Sequence, residues 1–300
     1  MATTLNISTN YAGEVAGKYI GKMIKASNTI QDGLVTILPN ITGETTVRKI
    51  TTSEGWTNYS CGFTPTGSIT LSERSFTPKK IKFNEEICKE DFRQGWSRNE
   101  MGLSAHNDDI PGTEKDAILL EIAKNVVRKI DTEIWEGNGT TGVLAGFVPA
   151  FILDAGVVKV ATPVAITSAN VEAQVGKFID TVPDFLIQDE KTKLLVSTNV
   201  IRALRKVYGQ QARLNGTFLN PNSFEFDGYM LTEGKGLNSN TMVAYHPDNL
   251  FFGTGLLADH NDIRIKDMDE SDLSGTIRIN MVLTGGVQYA NPDEIILYRA

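Results

Sequence analysis

Gly137-Asn-Gly-Thr-Thr-Gly142 spells G-x-G-x-x-G, the spacing with which a glycine-rich turn cradles a pyrophosphate. That chemistry needs a strand feeding the first glycine and a helix whose N-terminus then meets the phosphate. Here the order is reversed: a helical pattern precedes Gly137, and a strand-like run, Phe147 to Ile152, follows. The match reads as a helix end and a tight turn, and no nucleotide site is expected. Asp267-Met-Asp-Glu-Ser-Asp272 has the carboxylates for Ca²⁺ but lacks the glycine and distal glutamate of an EF-hand loop, so it reads as a solvated turn. His106, His246 and His260 form no H-x-x-x-H pair for zinc and read as loop histidines. His106 lies near Asp108 and Asp109, but no G-x-S-x-G elbow supplies a nucleophile for such a pair. Arg202, Arg205 and Lys206 need no phosphate to explain them, because one charged helix face accommodates all three. Cys61 and Cys88 form no C-x-x-C motif and read as buried free thiols. The sequence therefore gives no catalytic, cofactor or metal site, and the chain is expected not to be an enzyme.

A chain of 300 residues supports a sizeable core, burying about 75% of the surface its unfolded form exposes. Its 41% hydrophobic and 22% charged residues are ordinary for a globular fold. With 29 basic against 36 acidic residues the net charge is −7, which argues against a dedicated duplex-binding stripe but not against a shell that merely encloses nucleic acid. The opening Met1-Ala-Thr-Thr-Leu-Asn6 has neither a basic start nor an apolar run, and no stretch approaches the ~20 apolar residues of a membrane span. A chain made in a reducing cytoplasm is the expectation.

The elements that could position any site alternate between helical and extended patterns. Tyr11 to Ser27 has helical spacing, with Val15, Tyr19, Ile20, Met23 and Ile24 on one side, and Gln31 to Gly43 looks extended. Thr45 to Thr52 and Ser75 to Asn84 both alternate, and between them lies a tip carrying Trp56, Tyr59 and Phe63. The pattern predicts a long two-stranded arm. An isolated hairpin is marginal in water, so this one requires a partner surface, and the pattern leaves open whether its own body or another subunit supplies it. Ile118, Ile122, Val126, Ile130 and Ile134 repeat every fourth residue in the strongest helix, with Thr113 as its N-cap and Gly137 as its C-cap glycine. Val157 to Ala161 reads as a strand. Helices are expected through Val171 to Val182 and Val200 to Tyr208, separated by a buried strand at Lys193 to Ser197. Ile277 to Thr284 alternates, and Glu294 to Tyr298 closes the chain as a second strand.

In this order the elements resemble a major capsid protein of tailed double-stranded DNA bacteriophages, an α+β chain of the Hong Kong 97-type fold. Ser68 to Glu90 is similar to the descending strand of that family's extended hairpin, the E-loop. Thr113 to Gly139, ending Ile134-Trp-Glu-Gly-Asn-Gly139, is similar to its spine helix and the turn after it. Gly146-Phe-Val-Pro149 resembles the return strand, and Gly216-Thr-Phe-Leu219 with Phe226-Asp-Gly-Tyr-Met-Leu231 resembles the axial loop and the strand behind it. Leu250-Phe-Phe-Gly253 and the two final strands resemble the return into the peripheral domain.

The resemblance implies an N-terminal arm over 1–43, the E-loop over 44–91, and a peripheral domain over 92–164 with the spine helix at 113–137. An axial domain over 165–255 and a peripheral strand ladder over 256–300 complete it. It further implies self-assembly as hexamers and pentamers into an icosahedral head, a virion location after synthesis in a host bacterial cytoplasm, and enclosure of DNA without sequence-specific binding. A separate scaffolding protein, a portal and a possible decoration protein are the implied partners. The expected contacts between subunits are Trp56, Tyr59 and Phe63 at the hairpin tip, Arg213 and Asn215 near the axial loop, and Asp267, Asp269 and Asp272 near threefold axes. Lys79, Lys80 and Lys82 carry no local motif for a covalent crosslink, and none is expected. An encapsulin-like compartment shell is the second reading, and a nucleotide-binding enzyme is a remote third.

Overall fold

The structure is a computed structural model that describes residues 28–41, 43–59, 61–62, 65–89, 112–140, 143–215, 224–255, 263–268, 271 and 274–300. The amphipathic segment expected over Tyr11 to Ser27 lies outside them, as do His106, His260 and residues 216–223.

Two sheets organise the chain. The first is built on β12 (Thr276–Tyr289), whose Ile277, Ile279 and Met281 are buried on one face while Arg278 faces out. β4 (Lys79–Cys88) pairs antiparallel along one edge of β12, from Gly285↔Lys79 to Thr276↔Cys88. On the opposite edge β11 (Ile263–Asp267) pairs with residues 277–281, and β10 (Leu250–Thr254) pairs with residues 285–289. Both run antiparallel to β12, so they form one strand interrupted between Thr254 and Ile263. β1 (Thr36–Leu38) adds to the outer edge of β10 in parallel.

The second sheet runs in the order β5 (Val158–Lys159), β13 (Ile296–Arg299), β9 (Thr241–Tyr245), β6 (Lys193–Ser197), β8 (Tyr229–Gly234) and β7 (Phe224–Phe226). Two strands therefore sit on the other side of the boundary expected at residue 255: β10 belongs with β12, and the C-terminal β13 is inserted between β9 and β5. Helices α4 (Val171–Asp180) and α6 (Thr198–Asn215) cover this sheet, burying Val171, Val175, Phe178, Val200 and Leu204 against Leu194, Val196 and Ile296. That spacing of about four residues on each helix is what an apolar stripe facing a sheet requires. The short α5 (Asp184–Ile187) adds Leu186 to the same core.

Helix α2 (Gly112–Glu136) ties the two sheets together. Ile122 and Val126 pack on Ile277, Ile279 and Met281 of the first sheet, while Ile134 and Trp135 enter a core containing Val243, Tyr245 and Leu297 of the second. The helix begins at Gly112, so Thr113 lies inside its first turn and not at the cap. Gly137 departs from expectation in its reason for being glycine. It does not adopt positive φ; a Cβ there would lie 2.2 Å from the carbonyl oxygen of Leu144. The turn folds back until the Gly146 N–H donates to the Gly137 carbonyl at 2.7 Å, and close backbone approach, not left-handed conformation, excludes a side chain.

Phe147–Leu153 is a helix, α3, and not the strand expected. Phe147, Val148 and Phe151 are its buried residues, a helical set. Pro149 falls in the first turn, where a missing N–H removes no intrahelical bond. The aromatic core forms here, with Trp135 5.4 Å from Phe147 and 5.7 Å from Tyr245 between ring centroids. At the start of the described chain, α1 (Asn28–Gln31) is pinned to α2. The Trp135 Nε1–H donates to Thr29 Oγ1 at 2.8 Å, and the Thr29 hydroxyl donates to buried Asp131.

Candidate functional site

β2 (Thr45–Thr52) pairs antiparallel with β3 (Ile69–Phe76), from Thr45↔Phe76 to Thr52↔Ile69. The arm is real, but its second strand is Ile69–Phe76 and not the Ser75 to Asn84 run expected. After Thr77-Pro78 the chain enters β4 and changes partner to β12. Proline cannot donate to a ladder, so it marks the place where one pairing ends and the next begins.

Directly opposed residues of an antiparallel pair point to the same side, so the register sorts the arm into two faces. One carries Val47, Arg74, Lys49 and Phe76 and turns to the body at its root. Phe76 fills a socket with Ile41 and Val47; a Cβ on Gly253 would lie 2.4 Å from its ring, and one on Gly286 3.2 Å from it. Polar clasps flank this socket. Arg74 donates to Asp154 Oδ2 at 2.7 Å and stacks over the Tyr289 ring at 4.5 Å, while the Tyr289 hydroxyl donates to the same carboxylate at 2.8 Å. Lys49 reaches Asp293 at 3.1 Å, and Gln288 donates to the Ser75 carbonyl at 2.8 Å.

Burial alone would raise the Asp154 pKa, but the Arg74 hydrogen bond, the Gly156 N–H and the Tyr289 hydroxyl outweigh it and bring it to about 2. Burial, with the bond to Asp154, pushes the Tyr289 phenol up to about 12. The folded Asp154 pKa lies below its ordinary 3.8, so this clasp contributes fully above about pH 4 and is lost as the pH falls toward 2. Asp154→Asn is expected to lower stability at neutral pH by about 1–2 kcal/mol and to flatten the loss between pH 4 and 2. Urea unfolding at a series of pH values measures both.

The other face carries Arg48 paired with Glu73 at 3.1 Å, then Ile50 opposite Leu71, then Ile69. These three aliphatics are exposed, and beyond them Trp56 and Tyr59 at the tip are 93% and 94% exposed. A contiguous apolar strip on one face of a projecting hairpin, rimmed by charge, is the character of a surface that meets another protein. It is the candidate functional site.

Among the described residues, no group of three or more His, Cys, Asp or Glu side chains is placed to hold a metal ion. His246 is a loop histidine, as expected, and is engaged there: its Nδ1 accepts the Asp248 N–H at 3.2 Å and its Nε2 lies 3.4 Å from Asp189. A helix, α2, leads into the glycine motif, the reverse of the strand-to-helix order of a phosphate-cradling turn. Cys61 and Cys88 are both exposed, against expectation, because Cys61 sits on the tip and Cys88 follows inward-facing Ile87 on an alternating strand. No described helix is long and apolar enough to cross a membrane.

No protein-family model and no curated protein sequence matches the chain. Solved structures do. The capsid of a native GTA particle matches with a TM-score of 0.61 at 11% identity, over 91% of this chain and 90% of that one. A chain from Gordonia phage Cozz matches with a TM-score of 0.58 at 14% identity, over 90% and 86%. The chain has the Hong Kong 97-type capsid fold. The virus-like particle from Pyrococcus furiosus shares it, with a TM-score of 0.54 at 9% identity over 95% of this chain and 98% of that one.

Within this capsid fold the expected contact residues fall unevenly. Trp56 and Tyr59 lie together on the tip loop, and Phe63 is outside the described residues. Arg213 and Asn215 occupy the last turn of α6, with side chains outside the description. Asp267 ends β11 and pairs at 2.5 Å with Lys89, which is only 2% exposed, so its carboxylate is engaged within its own chain. Asp269 and Asp272 lie outside the described residues. Sequence reading missed Ile50, Ile69 and Leu71. Their signal was present as large aliphatics on the arm, but which face they occupy follows only from the pairing register.

Proposed function

We propose that this chain is the major capsid protein of a tailed double-stranded DNA phage, assembling as hexamers and pentamers into an icosahedral head. The observation that carries the proposal is the arm: an apolar strip ending in two almost fully exposed aromatics, on a fold shared with the capsid of a native GTA particle. A two-stranded hairpin is marginal alone, and among the described residues this one meets its own body through the root half of its ladder, at Phe76, Val47, Arg74 and Lys49. The missing surface is then a neighbouring subunit, over which the arm lies. The role is structural, and the net charge of −7 suits a wall that encloses DNA without gripping it. The domain scheme of N-terminal arm, E-loop, peripheral domain and axial domain belongs to the same reading. So do axial contacts near Arg213 and Asn215, and partnership with a scaffolding protein, a portal and a decoration protein.

A second reading, an encapsulin-like shell around protein cargo, is favoured by the similarity to the Pyrococcus furiosus virus-like particle. The contents of the particles decide between them. Particles purified after nuclease treatment are expected to release protected double-stranded DNA. A stoichiometric cargo protein in its place supports the compartment.

A further inference from the structure

The net charge of −7 is not spread evenly over this chain. One face of β12 packs on α2 through Ile277, Ile279 and Met281, and the opposite face carries Arg278, Asn280, Val282 and Thr284. The register extends that open face across three strands. Lys80, Lys82, Asn84 and Glu86 of β4 lie opposite Thr284, Val282, Asn280 and Arg278 in turn. Arg264 and Lys266 of β11 lie opposite Asn280 and Arg278 on the other edge. Lys80, Lys82, Arg264, Lys266 and Arg278 are all exposed. Glu86 is the one carboxylate of this set, and it pairs with Arg278 at 3.1 Å. Same-face positions along a strand are roughly 6.7 Å apart, so the cations form a diagonal track roughly 20 Å long from Lys80 to Lys266.

We propose that this face binds the phosphate backbone of double-stranded DNA without reading its sequence. The proposal rests on the capsid reading and names the surface through which such a wall touches its contents. A duplex carries about twelve phosphate charges in roughly 20 Å of its length, a linear array that a linear cationic track complements. Asn84, Asn280 and Thr284 stand among the cations, and amide and hydroxyl side chains are donors that phosphate oxygens accept. A protein partner fits this face less well. Val282 is its one large exposed apolar side chain, and none of these positions is aromatic. Protein interfaces centre on aromatic and other buried anchors, whereas a phosphate contact needs none. The same lack removes the stacking platforms by which proteins hold single strands.

Lys80, Lys82 and Lys266, each neutralising one phosphate, give binding a log–log salt slope of about −3. Purified full-length protein is titrated, before shells form, into a fluorescein-labelled duplex of about 20 base pairs, and anisotropy is read over a salt series. Affinity is expected to fall roughly fortyfold between about 50 and about 200 mM salt, and equally for duplexes of different sequence. Lys80→Gln with Lys82→Gln is expected to bring the slope to about −1 and to leave thermal melting unchanged, because both side chains are exposed. In DNA-filled particles, acetylation of Lys80, Lys82 and Lys266 is expected to speed up once the DNA is removed. Lys124 and Lys129, exposed on α2 across the sheet, are expected to keep their rates. Parent-like duplex binding by the double variant, or none at about 50 mM salt, overturns the proposal and leaves the capsid reading standing. Tighter binding to polyglutamate than to the duplex also overturns it, in favour of an acidic protein partner. No duplex binding together with no particles overturns both.

Discussion

Trp56→Ala with Tyr59→Ala is expected to leave the folded subunit unchanged and to stop it assembling. The two side chains are 93% and 94% exposed, so they bury almost nothing in the monomer, and such surface substitutions shift stability by only about 0.5 kcal/mol. In an interface the same residue types are the usual hot spots, each worth about 2 kcal/mol or more when truncated. Loss of both then weakens each arm contact by roughly a thousandfold. A shell repeats that contact in every subunit, so the concentration at which shells form rises beyond the working range. Thermal melting and circular dichroism of the variant should overlay those of the parent, while light scattering shows no particles. Normal shells from the double variant would remove the tip from the assembly mechanism.

Trp135→Ala is expected to have the largest effect on the subunit itself. The indole is fully buried where α2 meets both α3 and the second sheet, in contact with Phe147 and Tyr245. Truncating a buried tryptophan costs about 3–5 kcal/mol in lost contacts and cavity. The substitution also deprives Thr29 Oγ1 of its donor, beside the buried carboxylate of Asp131, which adds about 1–3 kcal/mol. Trp135→Phe keeps most of the apolar contact and loses the hydrogen bond, so it should fall between parent and alanine. Urea unfolding of the three proteins orders them. A loss below about 1 kcal/mol for Trp135→Ala would mean that this junction does not hold the two cores together.

What the sequence disclosed depended on whether a signal was local. The stripe of α2 and the alternation of Ile277, Ile279 and Met281 were plain, because each repeats the period of its own element. Phe147 to Leu153 was misread because a short apolar run does not separate a buried strand from a buried helix. The arm was foreseen, but its second strand was not, since Ser75 to Asn84 alternates without interruption and only Pro78 marks the change of partner. Trp56 and Tyr59 stood out by type. Ile50, Leu71 and the basic face of the first sheet did not, because a face is defined by the register between strands.

The central claim is that this chain builds a closed shell through its arms. Negative-stain microscopy and light scattering of the purified full-length protein, alone and co-expressed with the products of its neighbouring genes, test it most directly. The account predicts closed particles roughly tens of nanometres across, made of many identical subunits. A monomer or dimer under every one of those conditions would contradict it.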